Sequence, residues 1–161
     1  MEARLPMAVL CEDIRSLYNV GSIFRTCDGA GVERLYLCGH TGHPPRSEIE
    51  KTALGSVASV PWEYVPNQFE AVRGLRSRGY RIVALERTEE SVPYDRAEYD
   101  FPACLVLGNE VRGITPEMLA LCDMAVEIPM RGAKGSLNVA VAFGIAAYHL
   151  AGAWERGAGE E

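Results

Sequence analysis

Apolar runs of strand length alternate with amphipathic stretches along the whole of this chain, and no other feature limits its fold as strongly. Met7–Cys11, Arg34–Cys38, Val60–Val65, Arg81–Leu85, Pro102–Leu107 and Ala125–Ile128 read as strands. Asn19–Ala30, Ser47–Leu54, Gln68–Arg78, Thr115–Leu121 and Val139–Leu150 read as helices between and after them. Strands joined through helices pair side by side in parallel, because the crossover returns the chain to the same edge. The expected fold is therefore α/β, a mostly parallel sheet with helices on both faces. Such a sheet holds ligands beyond the carboxyl ends of its strands, where strand order reverses. Pro61 and Pro66 assign Val60–Val65 to an edge. Glu86–Tyr99 reads as a polar connection, and Arg156–Glu161 as a frayed acidic tail.

A chain of 161 residues suits one domain with a sizeable core. No linker, internal repeat or low-complexity segment divides it. The formal net charge of −6 argues against an electrostatic grip on nucleic acid spread over the whole surface, and leaves a local basic patch open. No apolar run is long enough for a spanning helix, and MEARLPMAVLCEDI carries no secretory signal pattern. The cysteines, Cys11, Cys27, Cys38, Cys104 and Cys122, are odd in number and mostly in apolar settings. They read as reduced thiols of a cytoplasmic protein. Cys38-x-His40-x-x-His43 has the look of a metal site but no fourth ligand nearby, so no metal is expected. His149, inside the last apolar helix, reads as a core or interface residue.

Three clusters sit at element ends. In Asn19–Thr26, NVGSIFRT, Asn19 is a candidate helix cap and Gly21 admits a close neighbour. Arg25 stands in a largely apolar helix and needs an acceptor; an ion pair alone would explain it. In Leu105–Gly113, LVLGNEVRG, an apolar strand runs into Gly108, where positive φ and close approach are open. The glycine spacing fits neither a dinucleotide fingerprint nor a P-loop. In Ile128–Leu150, a loop passes through Ser136-Leu137-Asn138, good capping residues, into a helix apolar on most sides and hence expected to be buried on most sides.

Together and in this order the clusters resemble the three motifs of the SpoU/TrmH-type RNA ribose 2′-O-methyltransferases, a branch of the SPOUT superfamily. The matching blocks are N-x-G-x-x-x-R-T at Asn19–Thr26, L-V-L-G-N-E-x-x-G at Leu105–Gly113, and I-P-M…S-L-N-V-A-V-A at Ile128–Ala142. The resemblance spans residues 7 to about 151. It implies a C-terminal segment tied in a deep trefoil knot and S-adenosylmethionine as cofactor. It implies a cofactor pocket at Leu85, Leu107, Gly108, Ile128, Met130, Ser136 and Leu137. It implies a homodimer formed through the C-terminal helix, with Arg25 reaching the partner's cofactor site. Asn19, Glu110, Ser136 and Asn138 are the implied polar groups around the reacting atoms, with Glu110 pairing an arginine to hold its loop. Arg25 matches the residue proposed as the family's base. A guanidinium stays protonated at ordinary pH, so binding a phosphate or a developing alkoxide is the simpler chemistry for it.

The implied substrate is tRNA or ribosomal RNA, methylated at a ribose 2′-hydroxyl. Arg15, Arg46, Lys51, Arg112, Arg131 and Lys134 lie near the motif loops and are candidates for gripping it. The alternative is a non-catalytic RNA-binding or assembly factor on the same fold, which the low basicity favours. Loss of methylation in Arg25→Ala with intact cofactor binding separates the two.

Overall fold

The computed structural model describes residues 4–159. Seven strands form one sheet: β1 (Leu5–Glu12), β2 (Val32–Cys38), β3 (Trp62–Val65), β4 (Arg81–Leu85), β5 (Val92–Pro93), β6 (Ala103–Leu107) and β7 (Met124–Glu127). Their order is β3-β2-β1-β6-β4-β7-β5. Every pairing is parallel, with Val9, for instance, opposite both Leu35 and Leu105. The proline-flanked β3 takes one edge, as its sequence requires. The other edge is β5, which forms inside the expected polar connection by pairing Val92 and Pro93 with Val126 and Glu127.

Side-chain alternation in β1 builds the two layers. Met7, Val9 and Cys11 point into a core shared with α1 (Leu17–Ala30), α2 (Ser47–Ala53) and α5 (Val139–Gly159). Ala8 and Leu10 point the other way, into a core with α3 (Gln68–Ser77) and α4 (Pro116–Leu119). Both faces are covered, which is why the central strands read as unbroken apolar runs.

Helix ends refine the sequence boundaries. The first helix begins at Leu17, capped by Ser16, whose hydroxyl accepts the Asn19 N–H at 3.2 Å. Asn19 is therefore not the cap, and its side chain is released for other work. Gly31, at φ 74°, closes the helix. Gly21 does admit a close neighbour, but that neighbour is α2: a Cβ there would strike the Ile49 carbonyl and the Thr52 hydroxyl. The last helix runs on to Gly159, through the start of the stretch expected to fray; residues 160 and 161 lie outside the described residues.

The last helix also departs from its expected burial. Phe143, Ala146, Ala147 and Leu150 are fully buried against the sheet and α1. Val141, Ile145 and Tyr148 are 52%, 36% and 55% exposed and form a second apolar stripe at helical spacing. Among the described residues no helix is long and apolar enough to cross a membrane.

Candidate active site

Parallel strands all deliver their carboxyl ends to one edge. The segments that leave β4, β6 and β7 meet there around a cleft of about 450 Å³, within the range of small-molecule sites. Its apolar wall includes Leu85, Ile128, Met130, Leu137, Val139 and Ala142; its polar rim includes Asn19, Glu110, Ser136 and Asn138. Of the expected cofactor residues, Leu85, Gly108, Ile128, Met130, Ser136 and Leu137 line this cleft. Leu107 is fully buried in β6 and is not among the lining residues; it positions Gly108.

Three side chains tie the three sequence clusters together. The Asn19 side-chain amide donates to Glu110 Oε2 at 3.1 Å, and its carbonyl oxygen accepts from Asn138 Nδ2 at 3.1 Å. Asn138 Oδ1 accepts the Ala140 and Val141 N–H groups at 2.9 and 3.2 Å, which makes it the cap of α5. Glu110 also accepts the Arg15 and Ser16 N–H groups at 3.0 and 2.8 Å. Among the described residues no arginine pairs with Glu110. Backbone amides take that place, an arrangement residue types alone could not disclose. Partial burial works against the Glu110 charge, but these donors outweigh it and hold the carboxyl below its usual range. A carboxylate so occupied is a weak base; its work here is to hold the β1–α1 loop to the β6–α4 loop.

Asn109 shapes that second loop. Its Oδ1 accepts the Val111 and Arg112 N–H groups at 2.9 and 3.0 Å, and its backbone exchanges two hydrogen bonds with Gly113. Positive φ belongs to Gly113, at 73°, not to Gly108. Gly108 is required for a different reason: a Cβ there would collide with the Gly113 carbonyl carbon and the Ile114 nitrogen. The strand end thus needs glycine because the loop folds back onto it. Sequence inspection also missed Glu86 and Glu127, two carboxylates of the cleft wall. Glu86 accepts the Ile114 N–H at 3.1 Å, and Glu127 accepts the Ser91 hydroxyl at 2.8 Å. Their signal was position at a strand's carboxyl end: Glu86 follows β4 and Glu127 is the last residue of β7.

The fit of a nucleoside cofactor can be tested on the backbone. Among the described residues, no hydrogen bond uses the N–H or C=O groups of residues 128–137. Residues 131–137 are exposed, so these groups are open to water and accessible to a ligand. A flat, apolar ring with donors and acceptors on its edge suits an apolar wall bordered by such groups. Ser136 likewise has a hydroxyl without a partner among the described residues.

Arg25 stands apart. It is exposed on α1, outside the cleft lining, and makes no hydrogen bond or ion pair among the described residues. The structural ion pair that would have explained it is absent there. Other arginines are used structurally: Arg76 bridges Asp123 at 2.9 Å, and Arg78 donates to the Tyr36 hydroxyl at 3.2 Å. His149 is half-buried between the rings of Tyr94 and Tyr99, at 5.2 and 5.9 Å.

The model of the SpoU rRNA Methylase family matches residues 6–148. The chain belongs to that family. Over 143 residues it is 36% identical to the tRNA (guanosine(18)-2′-O)-methyltransferase of Aquifex aeolicus, covering 88% of this chain and 67% of that one. The crystal structure of the A. aeolicus TrmH/SpoU tRNA modifying enzyme superposes with a TM-score of 0.86 at 34% identity, over 96% of this chain and 78% of that one. The SpoU methyltransferase AviRb of Streptomyces viridochromogenes, in complex with AdoMet, gives 0.85 at 28% identity, over 98% and 63%. Family membership makes the chain an S-adenosylmethionine-dependent RNA methyltransferase.

Proposed function

We infer that this chain methylates the ribose 2′-hydroxyl of a tRNA nucleotide, with the cleft as its cofactor site. The observation that carries the reading is the Glu110–Asn19–Asn138 relay, which closes all three family motifs around one cleft. The relative identified by its guanosine-specific tRNA activity favours a guanosine as target.

The bound sulfonium supplies an electrophilic methyl group, so the chain's residues have mainly to position and to stabilise. Leu85, Ile128, Met130 and Leu137 enclose the adenosine, and unpaired backbone groups of residues 128–137 read its edge. Ser136 offers a hydroxyl to the incoming ribose. Glu110 and Asn138 fix Asn19 with its amide orientation set by both bonds. Arg25 comes from a second copy of the chain. Its guanidinium has no partner among the described residues, and the exposed stripe Val141, Ile145 and Tyr148 runs along α5, which packs on α1. These side chains are already about half-buried, so covering the rest would stabilise a dimer by about 1 kcal/mol each, roughly half the value for full burial. Arg25 then holds the adjacent phosphate and stabilises the developing alkoxide. The knot implied by the motifs is part of the same reading. After β7, near the far edge of the sheet, residues 128–138 bring the chain back to α1. The free, mostly buried thiols accord with a cytoplasmic setting.

Labelled S-adenosylmethionine and an unmodified tRNA transcript test this. The expected result is transfer to a single nucleotide that then resists alkaline cleavage. Arg25→Ala keeps cofactor binding and dimer mass and loses methylation by 10²-fold or more, the scale of one lost charge-stabilising donor. Cofactor binding without transfer to any tRNA would favour the assembly-factor alternative.

A further inference from the structure

A second cavity, of about 340 Å³, opens at the same edge of the sheet, beyond β2 and β3. His40, Thr41, His43, Pro45, Arg46 and Tyr64 are among its lining. Two rings form its platform: His43 lies 4.5 Å from Tyr64, tilted by 35°, and 6.4 Å from Trp62 in a stacked attitude. The Tyr64 hydroxyl is fixed by donating to the Gly39 carbonyl at 2.8 Å. His43 Nδ1 is 2.8 Å from the Pro44 carbonyl oxygen, which can only accept, so Nδ1 carries the proton and Nε2 remains open. Among the described residues the Arg46 guanidinium pairs with Glu48 alone, at 3.4 Å on the exposed surface, a pairing that a phosphate can displace.

The cavity and the cofactor cleft share one wall. Asp13–Ser16 is bonded on one side to Asn109 and Glu110, through the Asp13 carbonyl at 2.7 Å and the Arg15 and Ser16 N–H groups. On the other side the Asp13 carboxylate accepts the His40 N–H at 2.8 Å, and buried Thr41 accepts the Ile14 N–H at 3.0 Å. The strands behind the two sites, β6, β1 and β2, are consecutive neighbours. The cleft is centred beyond β4 and the cavity between β2 and β3, three to four strands away, so at about 4.8 Å per strand their near rims are roughly 10 Å apart and their centres about 17 Å. Between centres that is about five stacked nucleotides at 3.4 Å each, or fewer in an extended strand.

We propose that this cavity is a subsite for a nucleotide a few positions from the methylated one, its base stacked on the His43–Tyr64 platform and its phosphate held by Arg46. The inference rests on the RNA-methylation reading above and adds a location to it. Aromatic faces beside a cation are the chemistry that single-stranded RNA uses, since every base offers a face and every linkage a charge. Thr41, anchored to both Ile14 and the Cys11 carbonyl, makes the platform a rigid extension of the wall that the cofactor loops grip.

The test is fluorescence anisotropy of the unmodified tRNA transcript over a salt series, with methylation kinetics in parallel. His43→Ala should raise the RNA Kd and KM about tenfold, and His43→Phe should restore both to within about twofold. Arg46→Ala should weaken binding and reduce the slope of log Kd against log salt by about 1, one phosphate contact. Turnover at saturating RNA and calorimetric affinity for S-adenosylmethionine should stay within about twofold in all three. Wild-type affinity and salt slope in His43→Ala and Arg46→Ala would overturn the proposal. So would a loss in His43→Ala that Phe fails to restore, because a packing role needs no aromatic face turned to a base. If the wild-type chain binds tRNA but transfers no methyl group, the function proposed above fails, while the binding series still decides the subsite.

Discussion

Glu110→Gln isolates the tie that holds the cleft together. The change keeps the shape and removes the charge. Three donors now converge on two carboxylate oxygens: Arg15 N–H on Oε1, Ser16 N–H and the Asn19 amide on Oε2. Glutamine has one oxygen. Placed at the Oε2 position, it keeps Ser16 and Asn19 as neutral bonds and turns its NH2 group toward the Arg15 N–H, donor against donor. A hydrogen bond to a charged acceptor contributes about 1.5–3 kcal/mol and a neutral one about 0.5–1.5. One lost bond and two weakened ones, reduced for the open side of the site, amount to about 2 kcal/mol. In a domain of this size that is roughly 4–8 °C in Tm. The pH dependence gives the sharper check. The folded carboxyl titrates below its unfolded value of about 4.3, so its stabilisation is complete above that value. It is lost as pH falls through the folded pKa. Urea unfolding of wild type and variant should therefore differ at pH 7 and converge in acid. Equal midpoints at pH 7, or a gap that persists undiminished below the folded pKa, would refute the assignment of Glu110 to this tie. Cofactor affinity should fall alongside, since Asn19 loses its orientation.

Two further outcomes follow from geometry. Gly108→Ala forces a methyl group into the Gly113–Ile114 backbone, so about 1–3 kcal/mol of stability and most cofactor binding should be lost; a melt within 1 °C of wild type with full cofactor affinity in calorimetry would contradict the collision. The thiols should be inert. Burial pushes Cys38 and Cys122 up to about 12 and raises Cys11, Cys27 and Cys104 as well. At pH 8 a thiol at about 12 is thiolate in about one part in 10⁴. Native protein should then react with Ellman's reagent only at the rate of opening, and a fast stoichiometric phase would show otherwise.

The strands were legible because both faces of the sheet are covered, so RIVAL and ACLVL stand out as apolar runs between polar ends. The edge strand β5 was not, because two residues carry no periodicity; it exists because β7 presents open backbone groups to Val92 and Pro93. At the site, the residues with chemistry were legible by type, but their partners were not. Glu110 asked for a cation and found amide N–H groups, and backbone donors have no letter in a sequence. Gly108 stood out as a strand end where positive φ and close approach are open; the positive φ belongs to Gly113, and what approaches Gly108 is the returning loop at Gly113 and Ile114. Helix α5 shows the limit most clearly. From Val139 to Leu150 nearly every side chain is apolar or small, so hydropathy cannot say which face meets the sheet. Packing resolves one face through Phe143, Ala146, Ala147 and Leu150, and leaves Val141, Ile145 and Tyr148 in water. A chain with a net charge of −6 and no need for solvent-facing valine gains nothing from that stripe as a monomer. In the proposed dimer the stripe and Arg25, unpartnered among the described residues, would answer each other: a second copy that covers the first would also bring a guanidinium to the cleft. The sequence holds both halves of that proposed arrangement, but it takes the fold to see that, among the described residues, the stripe lies in water and Arg25 has no partner.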